Sequence, residues 1–123
     1  MQVQSGKAKG RRLQQFVRDL LLETFKDTLE TDDIQSTSMG APGEDLKMSP
    51  AARKIFPFAI ECKNQESLGI WSALEQAEAN AKHHMPLLVF KRNRSKTYAT
   101  LDINDLVKIL KELHELRHTK NSI

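Results

Sequence analysis

Two strand-forming segments with a helix-forming segment between them occupy the middle of this chain. Residues 58–63 follow Pro57 and end in the alternation Ile60-Glu61-Cys62-Lys63, and residues 86–91 are mostly apolar. The segment between them, which we expect Ser67 to cap, carries apolar residues at helical spacing. They are Leu68, Trp71, Leu74, Ala77 and Ala81. This order predicts a mixed central sheet with helices packed on both sides.

The segments on either side of this unit extend the pattern. Residues 33–37 and 44–48 flank a turn with two glycines and a proline, which predicts a hairpin. Residues 96–101 are expected to pair with the preceding strand, and residues of about 9 to 29 form an amphipathic helix. The apolar side of that helix is Leu13, Phe16, Val17, Leu20, Leu21 and Phe25. The element order is therefore α-β-β-β-α-β-β-α, and the predicted fold class is α/β.

The last helix is expected to begin at Asp102, where Asp105 three positions later resembles a capping pair. We expect one side of this helix to be buried. That side consists of Ile103, Leu106, Val107, Leu110 and Leu113. We expect residues 9–117 to form one domain, because 123 residues have room for a single core. Residues 1–8 are expected to be a flexible basic tail, and residues 118–123 a second flexible tail.

Composition excludes several classes of protein. Hydrophobic residues are 39% and charged residues 28%, a balance that fits a globular chain and neither a disordered nor a fibrous one. The apolar runs are too short to cross a bilayer, and the first ten residues lack the apolar stretch of a secretory signal. We therefore expect a cytoplasmic protein without a membrane partner. The single cysteine, Cys62, agrees with a reducing compartment and is expected to be a small buried side chain.

The charges are segregated along the chain. Residues 1–18 carry five bases and no acid, residues 19–45 carry eight acids and one base, and basic residues return after residue 90. Cationic clusters around an acidic centre suit an enzyme that holds a polyanion at its rim and a metal ion in its middle. A solvated surface of mixed charge is the alternative. The residues expected to contact DNA are Lys7, Lys9, Arg11, Arg12, Lys91, Arg92, Arg94 and Lys96.

Glu61 and Lys63 stand two positions apart in the central strand segment. Alternate residues of a strand share a face, so both side chains can reach one small volume, which we expect Asp45 to join. We predict Mg²⁺ bound by Asp45, Glu61 and the backbone carbonyl of Cys62, with Mn²⁺ able to substitute. A water held there can attack phosphorus while Lys63 orients that water, helps to deprotonate it, or neutralises charge in the transition state.

Other acids lie close to Asp45 in the sequence. Asp32 and Asp33 are alternatives to Asp45 as the metal ligand, although their place before the first strand favours a capping role. Glu44 should point away from the site on a strand, and we expect it to be solvated. Short acid-x-base strings such as Glu61-x-Lys63 are common, and this one gains weight from its combination with the preceding turn.

Three segments carry a resemblance to a known family. They are residues 33–40, Gly43-Glu44-Asp45 on the turn, and the strand segment that ends in Glu61-Cys62-Lys63-Asn64. Together they resemble the PD-(D/E)xK nuclease superfamily and, within it, the small Holliday-junction resolvases of archaeal and phage type. The resemblance covers residues of about 8 to 110. It implies a restriction-endonuclease-like core, with a mixed central sheet flanked by helices.

The resemblance also implies roles for individual residues. Asp45 takes the place of the motif aspartate, Glu61 that of the second metal ligand, and Lys63 that of the catalytic lysine. A serine on the loop before the aspartate assists in resolvases of this type, and either Ser36 or Ser38 occupies that place here.

The helices depart from the family pattern in one respect. A glutamate on the first helix often completes the family's metal site, whereas this chain offers Gln14 or Gln15. A neutral amide then positions water, another residue takes the role, or metal affinity is reduced. A glutamine on the helix after the central strand is a common accessory residue, and Gln76 matches that place.

These observations predict a Mg²⁺-dependent endonuclease that cuts branched DNA, with four-way junctions as the substrate. A symmetric junction needs two equivalent cuts, so a C₂ homodimer of this small chain is expected. A nuclease of the same superfamily that acts on ends, flaps or duplex DNA is the first alternative. A DNA-binding protein that keeps the fold but has little or no turnover is the second, and an RNA-directed nuclease stays open.

Overall fold

The structure is a computed structural model that describes residues 6–37 and 43–121. Its helices are α1 (Gly6–Thr24), α2 (Pro50–Ile55), α3 (Ile70–Ala81) and α4 (Ile103–Asn121). Its strands are β1 (Ile34–Ser36), β2 (Leu46–Met48), β3 (Phe58–Asn64), β4 (Met85–Lys91) and β5 (Tyr98–Thr100). A 3₁₀ turn, Thr31–Asp33, precedes β1. In the described part of the chain, no helix is both long and apolar enough to span a bilayer.

A three-stranded sheet in the order β3-β4-β5 forms the centre of the fold. β3 and β4 are parallel, with Phe58 opposite Met85 and Asn64 opposite Lys91, and β5 is antiparallel to β4. β1 and β2 form a separate antiparallel pair, which agrees with the predicted hairpin, although residues 38–42 of its predicted turn lie outside the described residues. The α3 crossover makes the parallel pairing possible. The predicted α/β fold with a mixed sheet flanked by helices is confirmed.

The side chains of β3 divide between two layers. Ile60 and Cys62 face α1 and belong to the main core with Leu13 and Val17. Glu61 lies on the other face, where α3 packs through a row of small residues. That row is Ala73, Ala77 and Ala81, and each is buried. The small alanine side chains let the helix approach the strand closely, so the charged residues of β3 lie beneath a helix.

Arg18 fixes the position of α1 against the hairpin. Its Nε donates a hydrogen bond to the carbonyl of Ile34 at 2.7 Å, and Nη2 donates to the carbonyl of Thr31 at 3.0 Å. Both acceptors lie at the entry to β1. Because a guanidinium group has donors in a fixed planar arrangement, one side chain can bind both carbonyls at once. The first helix and the strand that leads to the site are therefore held together.

The helix boundaries differ from the prediction at several points. α1 begins three residues earlier than expected and ends at Thr24, and Phe25 then packs edge-on against Phe56, with ring centroids 4.9 Å apart. α3 begins at Ile70 with Gly69 as its N-cap residue, so the predicted cap at Ser67 is wrong. Trp71 is exposed, since the row of alanines is the face that meets the sheet.

Two apolar faces that were predicted to be buried are open. On α1, Phe16 is 52% exposed and Leu20 is 54% exposed, because α1 covers only part of the sheet. On α4, the predicted buried side is wrong in this structure. Ile103, Leu106, Val107, Leu110 and Leu113 are each at least 37% exposed. α4 has no extensive packing against any other described element.

Ser49 connects α2 to the start of β1. Its Oγ accepts a hydrogen bond from the N–H of Ala52 at 3.1 Å and donates one to Asp33 Oδ1 at 2.6 Å. The N–H of Ser49 also donates to the carbonyl of Asp33 at 2.8 Å. One hydroxyl group therefore caps a helix and binds the carboxylate that precedes β1.

We expect Ser49→Ala to lower the free energy of unfolding by about 1 kcal/mol, the usual loss for an N-cap serine. Ser67→Ala is the matched control, because Ser67 is exposed and does not cap α3, and it should change stability by less than about 0.5 kcal/mol. Urea unfolding of the two variants measures both values. Equal losses would contradict the assigned role of Ser49.

Candidate active site

Asp45 reaches β3 through hydrogen bonds along the edge of that strand. The N–H of Asp45 donates to the carbonyl of Ile60 at 2.9 Å, and the N–H of Cys62 donates to Asp45 Oδ2 at 2.7 Å. The carbonyl of Asp45 accepts from the N–H of Thr37 at 3.0 Å. The hairpin and the central strand thus hold both the backbone and the carboxylate of Asp45.

Glu61 lies next to Lys63 on the face of β3 that α3 covers. Glu61 is only 4% exposed. Its Oε1 accepts a hydrogen bond from Asn80 Nδ2 at 3.1 Å, and its Oε2 lies 3.8 Å from Lys63 Nζ. The structure therefore brings the three residues of the predicted site together, because the charge of Asp45 also acts on Glu61 and that of Lys63 on Asp45.

Gln14 is the first-helix amide that turns toward this site. It is 2% exposed, whereas the neighbouring Gln15 is exposed. The hydroxyl of Ser36 donates a short hydrogen bond to Gln14 Oε1, and Gln14 hydrogen-bonds to Asp45. Ser36, Gln14 and Asp45 therefore form a connected network. Ser38, the other serine candidate, lies outside the described residues.

Asn80 is a site residue that the sequence analysis did not identify. The accessory position was assigned to Gln76, which is exposed in the structure. At about 100° per residue, Asn80 lies about 60° and Gln76 about 100° around the helix from Ala77, the middle of the buried row. Asn80 is therefore the amide that turns under α3 toward Glu61. The small-residue row at 73, 77 and 81 was the signal that would have indicated this rotation.

Burial makes the two carboxylates costly to ionise. Desolvation raises the pKa of Asp45, although the N–H of Cys62, the charge of Lys63 and the amide of Gln14 act to lower it. Desolvation also raises the pKa of Glu61, and the nearby charge of Asp45 raises it further. The positive charge of Lys63 can balance only one of the two carboxylate charges. The site therefore favours an additional positive charge.

Cys62 contributes its backbone and not its thiol. Burial and the two nearby carboxylates raise the pKa of the thiol well above its usual value, so a thiolate nucleophile is disfavoured. The N–H of Cys62 points to the open edge of β3, where it binds Asp45. In an extended strand the carbonyl of a residue points to the same side as its N–H. The Cys62 carbonyl thus faces the edge that holds the Asp45 carboxylate.

These donors fit a hard divalent cation. Carboxylate and carbonyl oxygens are the ligands that Mg²⁺ and Mn²⁺ prefer, and a cation would offset both the desolvation and the charge of Asp45 that raise the pKa of Glu61. Within residues 6–37 and 43–121, no group of three or more His, Cys, Asp or Glu side chains is placed to hold a metal. The donor set is therefore Asp45 and Glu61, with the Cys62 carbonyl and the Gln14 amide as neutral neighbours.

Two of the three other acids considered from the sequence, Asp33 and Glu44, have structural partners. Asp33 accepts hydrogen bonds from Ser49 and, at 2.7 Å, from the N–H of Glu30, and these bonds lower its pKa. Asp32 is exposed. Glu44 is not solvated as expected: its carboxylate forms a short ion pair with Arg53.

Arg53 links the segment that carries Asp45 to the beginning of β3. Besides its ion pair with Glu44, its Nη1 donates to the carbonyl of Phe58 at 2.6 Å. The residue next to Asp45 is therefore tied to the first residue of the strand that bears Glu61. Arg53 supports the position of Asp45 without being part of the site.

The basic residues predicted to contact DNA are divided by the structure into two groups. Five of them line one cleft between α1 and the sheet: Lys9, Arg12, Lys91, Arg94 and Lys96. The other three are exposed: Lys7, Arg11 and Arg92. Residues far apart in the sequence therefore contribute to one cationic region, and their contact with DNA stays a prediction.

Two carboxylates and a lysine around a strand of a mixed sheet have the arrangement that the PD-(D/E)xK class of nucleases would require. A family model described as "Phage putative PDDEXK endonuclease" matches residues 4–123, and the chain belongs to this family. The resemblance to the PD-(D/E)xK superfamily is confirmed, and members of that superfamily generally use divalent metal ions. The search of curated proteins and the search of solved structures each gave no match.

We expect Gln14→Glu to raise the affinity for Mn²⁺ about tenfold, because it adds a third charged oxygen donor beside Asp45. Gln15→Glu is the matched control on the exposed side of α1 and should leave the affinity unchanged. Isothermal titration calorimetry of the full chain measures both. Equal effects of the two substitutions would contradict the placement of Gln14 at the metal site.

Proposed function

We propose that the protein is a Mg²⁺-dependent endonuclease that hydrolyses phosphodiester bonds in branched DNA, with four-way junctions as its substrate and Mn²⁺ as an alternative cation. The gathering of Asp45, Glu61 and Lys63 at one strand carries this proposal. Membership of a phage endonuclease family supports it. We further propose that the protein acts in the cytoplasm of a prokaryotic cell, as a phage product.

Asp45 and Glu61 would hold the cation together with the carbonyl of Cys62. Protein donors already bind both carboxylates. The N–H of Cys62 and the Gln14 amide bind Asp45, and Asn80 Nδ2 binds Glu61. These bonds orient the carboxylates and leave lone pairs for a ligand. A preoriented donor set loses little conformational entropy on binding, which favours a site with only two charged ligands.

Lys63 would act on the attacking water and on the phosphate. When bound, Mg²⁺ supplies Lewis-acid polarisation of the phosphate and a water of lowered pKa. The Lys63 ammonium is held beside Glu61, where it can donate a hydrogen bond to that water or to a non-bridging phosphate oxygen. Negative charge grows on such an oxygen in the transition state, so a fixed cation stabilises the transition state more than the substrate.

Ser36 and Asn80 would serve as positioning residues. Ser36 binds Gln14, which in turn binds Asp45, and Asn80 binds Glu61. We propose Asn80 for the accessory role that the resemblance assigned to Gln76. Neither residue needs to touch the substrate, because each acts through a carboxylate.

The junction substrate and the homodimer are linked proposals. A four-way junction presents two equivalent strands, and one chain offers one site of the kind described above. A C₂ pair would place two such sites on strands of like polarity. The basic residues on α1 and on the turn after β4 would contact backbone phosphates, which gives affinity without base-specific recognition.

A DNA-binding protein with weak turnover is the second candidate. It is favoured by the donor set of the described residues, in which the neutral Gln14 stands where the family often has a glutamate. Under this alternative the same surfaces bind DNA, and the metal supports binding and not hydrolysis.

The proposal is tested by cleavage of a labelled four-way junction and of a linear duplex with the same sequence, each with Mg²⁺ or with a chelator. We expect paired symmetric nicks in the junction, at least about tenfold faster than duplex cutting, a preference of more than about 1.4 kcal/mol. Lys63→Ala should slow cleavage by about 100-fold or more with unchanged DNA binding. Lys54→Ala is the control, since Lys54 is exposed on α2.

Each other outcome favours a named alternative. Equal rates on the two substrates would remove junction specificity and leave a duplex nuclease. Binding of both DNAs without metal-dependent cutting would favour the weak-turnover protein. Activity that survives Lys63→Ala would come from a contaminant or from a different site.

A further inference from the structure

The apolar face of α4 is an unpartnered surface. Its apolar side chains recur over the whole 19-residue helix, from Ile103 through Leu110 to Leu116, and these three are each more than half exposed. A helix with one apolar stripe is stable in water when that stripe is packed against another surface. The described part of the chain offers α4 no such packing in this arrangement.

An apolar cleft on the same chain is a second unpartnered surface. It has a volume of about 1430 Å³ and lies between α1 and the α1-facing side of the sheet. Phe16 and Leu20 form its helix wall, and Phe58 and Leu87 belong to its sheet wall. Large aromatic and aliphatic side chains in an open cleft are typical of a site that binds another protein element.

We propose that α4 of one copy lies in this cleft of a second copy, and that the second copy returns the same contact in a C₂ dimer. This inference identifies the interface of the proposed homodimer and does not depend on nuclease chemistry. The two surfaces are encoded by one chain and are present in equal number. In a reciprocal exchange, the apolar face of α4 and the cleft of each copy are therefore both covered.

The connection between β5 and α4 favours exchange over closure within one chain. Only Leu101 and Asp102 separate the two elements. Asp102 fixes the first turn of α4, because its Oδ1 accepts from the N–H of Asn104 at 2.6 Å and its carbonyl accepts from the N–H of Leu106 at 3.1 Å. The start of α4 is thus fixed close to the end of β5, and from this start the helix makes no extensive contact with α1 or the sheet of its own chain.

The dimensions of the two surfaces agree. A helix of 19 residues is about 28 Å long, and two reciprocal contacts of that length can exceed the roughly 1,000 Å² that a specific interface requires. The cleft carries the cationic residues described above, including Lys9 and Lys91. α4 itself carries bases as well as acids, with Arg117 on the face of the apolar stripe, so apolar contact and not charge would drive the pairing.

Asn64 gives an independent sign that the cleft is incomplete in the single chain. It lines the cleft, and its Nδ2 donates to the carbonyl of Lys9 at 3.3 Å. Its Oδ1 is buried and has no hydrogen-bond partner among the described residues. Buried acceptors are usually paired, and an incoming polar side chain could supply the donor.

The proposed exchange leaves the candidate active site accessible. Glu61 and Lys63 lie on the α3 side of β3, whereas the cleft lies on the α1 side. Lys7, Arg11 and Arg92 are not among the cleft residues and stay exposed for phosphate contacts. In the dimer these three residues would carry the phosphate contacts on the open surface, whereas the five basic residues that line the cleft would lie at or beneath the interface.

Light scattering of the full chain at micromolar concentrations, without DNA or metal, tests the inference independently of cleavage. We expect a dimer. Leu110→Glu and Phe16→Glu should each raise its dissociation constant by about 30-fold or more, the effect of charging a central apolar anchor. Lys108→Glu is the matched control on the opposite side of α4 and should leave the dimer intact.

A cysteine pair tests the contact itself and covers the case in which the charged variants fail to fold. When Phe16→Cys and Leu110→Cys chains are mixed and mildly oxidised, we expect a disulfide-linked dimer. Each variant oxidised alone should give little of this dimer. Cys62 is buried, so it should compete poorly for disulfide formation. A monomeric wild-type chain would overturn the proposal. So would an intrachain link in the double variant, which indicates closure within one copy, or equally strong linking of Leu110→Cys alone, which indicates pairing of two α4 helices.

Discussion

The open edge of β3 is the constraint on which the candidate site depends. Asp45 is far from Glu61 in the sequence, yet its N–H binds Ile60 and its carboxylate binds the N–H of Cys62. Strand pairing on one side of β3 and the hairpin on the other leave little freedom for either carboxylate. The same packing removes water, which raises the pKa of both groups. The packing that forms this edge of β3 therefore also sets the positions and the raised pKa of the two carboxylates.

The parts of the fold that local patterns specify were predictable from the sequence. The alternation of residues 60–63 indicated β3 and the shared face of Glu61 and Lys63, and the glycines and proline at 38–43 indicated the hairpin. Asn80 was missed because its contact depends on the rotation of α3, which the row of small residues sets and which the larger apolar residues at 68, 71 and 74 obscured. The choice between Gln14 and Gln15 likewise depends on the tilt of α1, which Arg18 fixes through carbonyl groups of a distant segment.

The error over α4 has a different origin. Its apolar stripe was identified correctly, and an amphipathic helix does need a surface to cover. Periodicity within one chain carries no information on which surface that is, or on whether it belongs to the same copy. The prediction that the apolar side of α1 is buried was wrong in the same way at Phe16 and Leu20, which are exposed. The apolar sides of α1 and α4 were both expected to pack into one core, whereas the structure leaves them exposed and apart.

The central claim is that Asp45 and Glu61 share one cation. Anomalous diffraction from crystals of the full chain grown with Mn²⁺ tests it most directly. The account predicts a peak in contact with both carboxylates and close to the Cys62 carbonyl. A peak that contacts neither carboxylate or only one of them, or Mn²⁺ bound at a different acidic group, would contradict it.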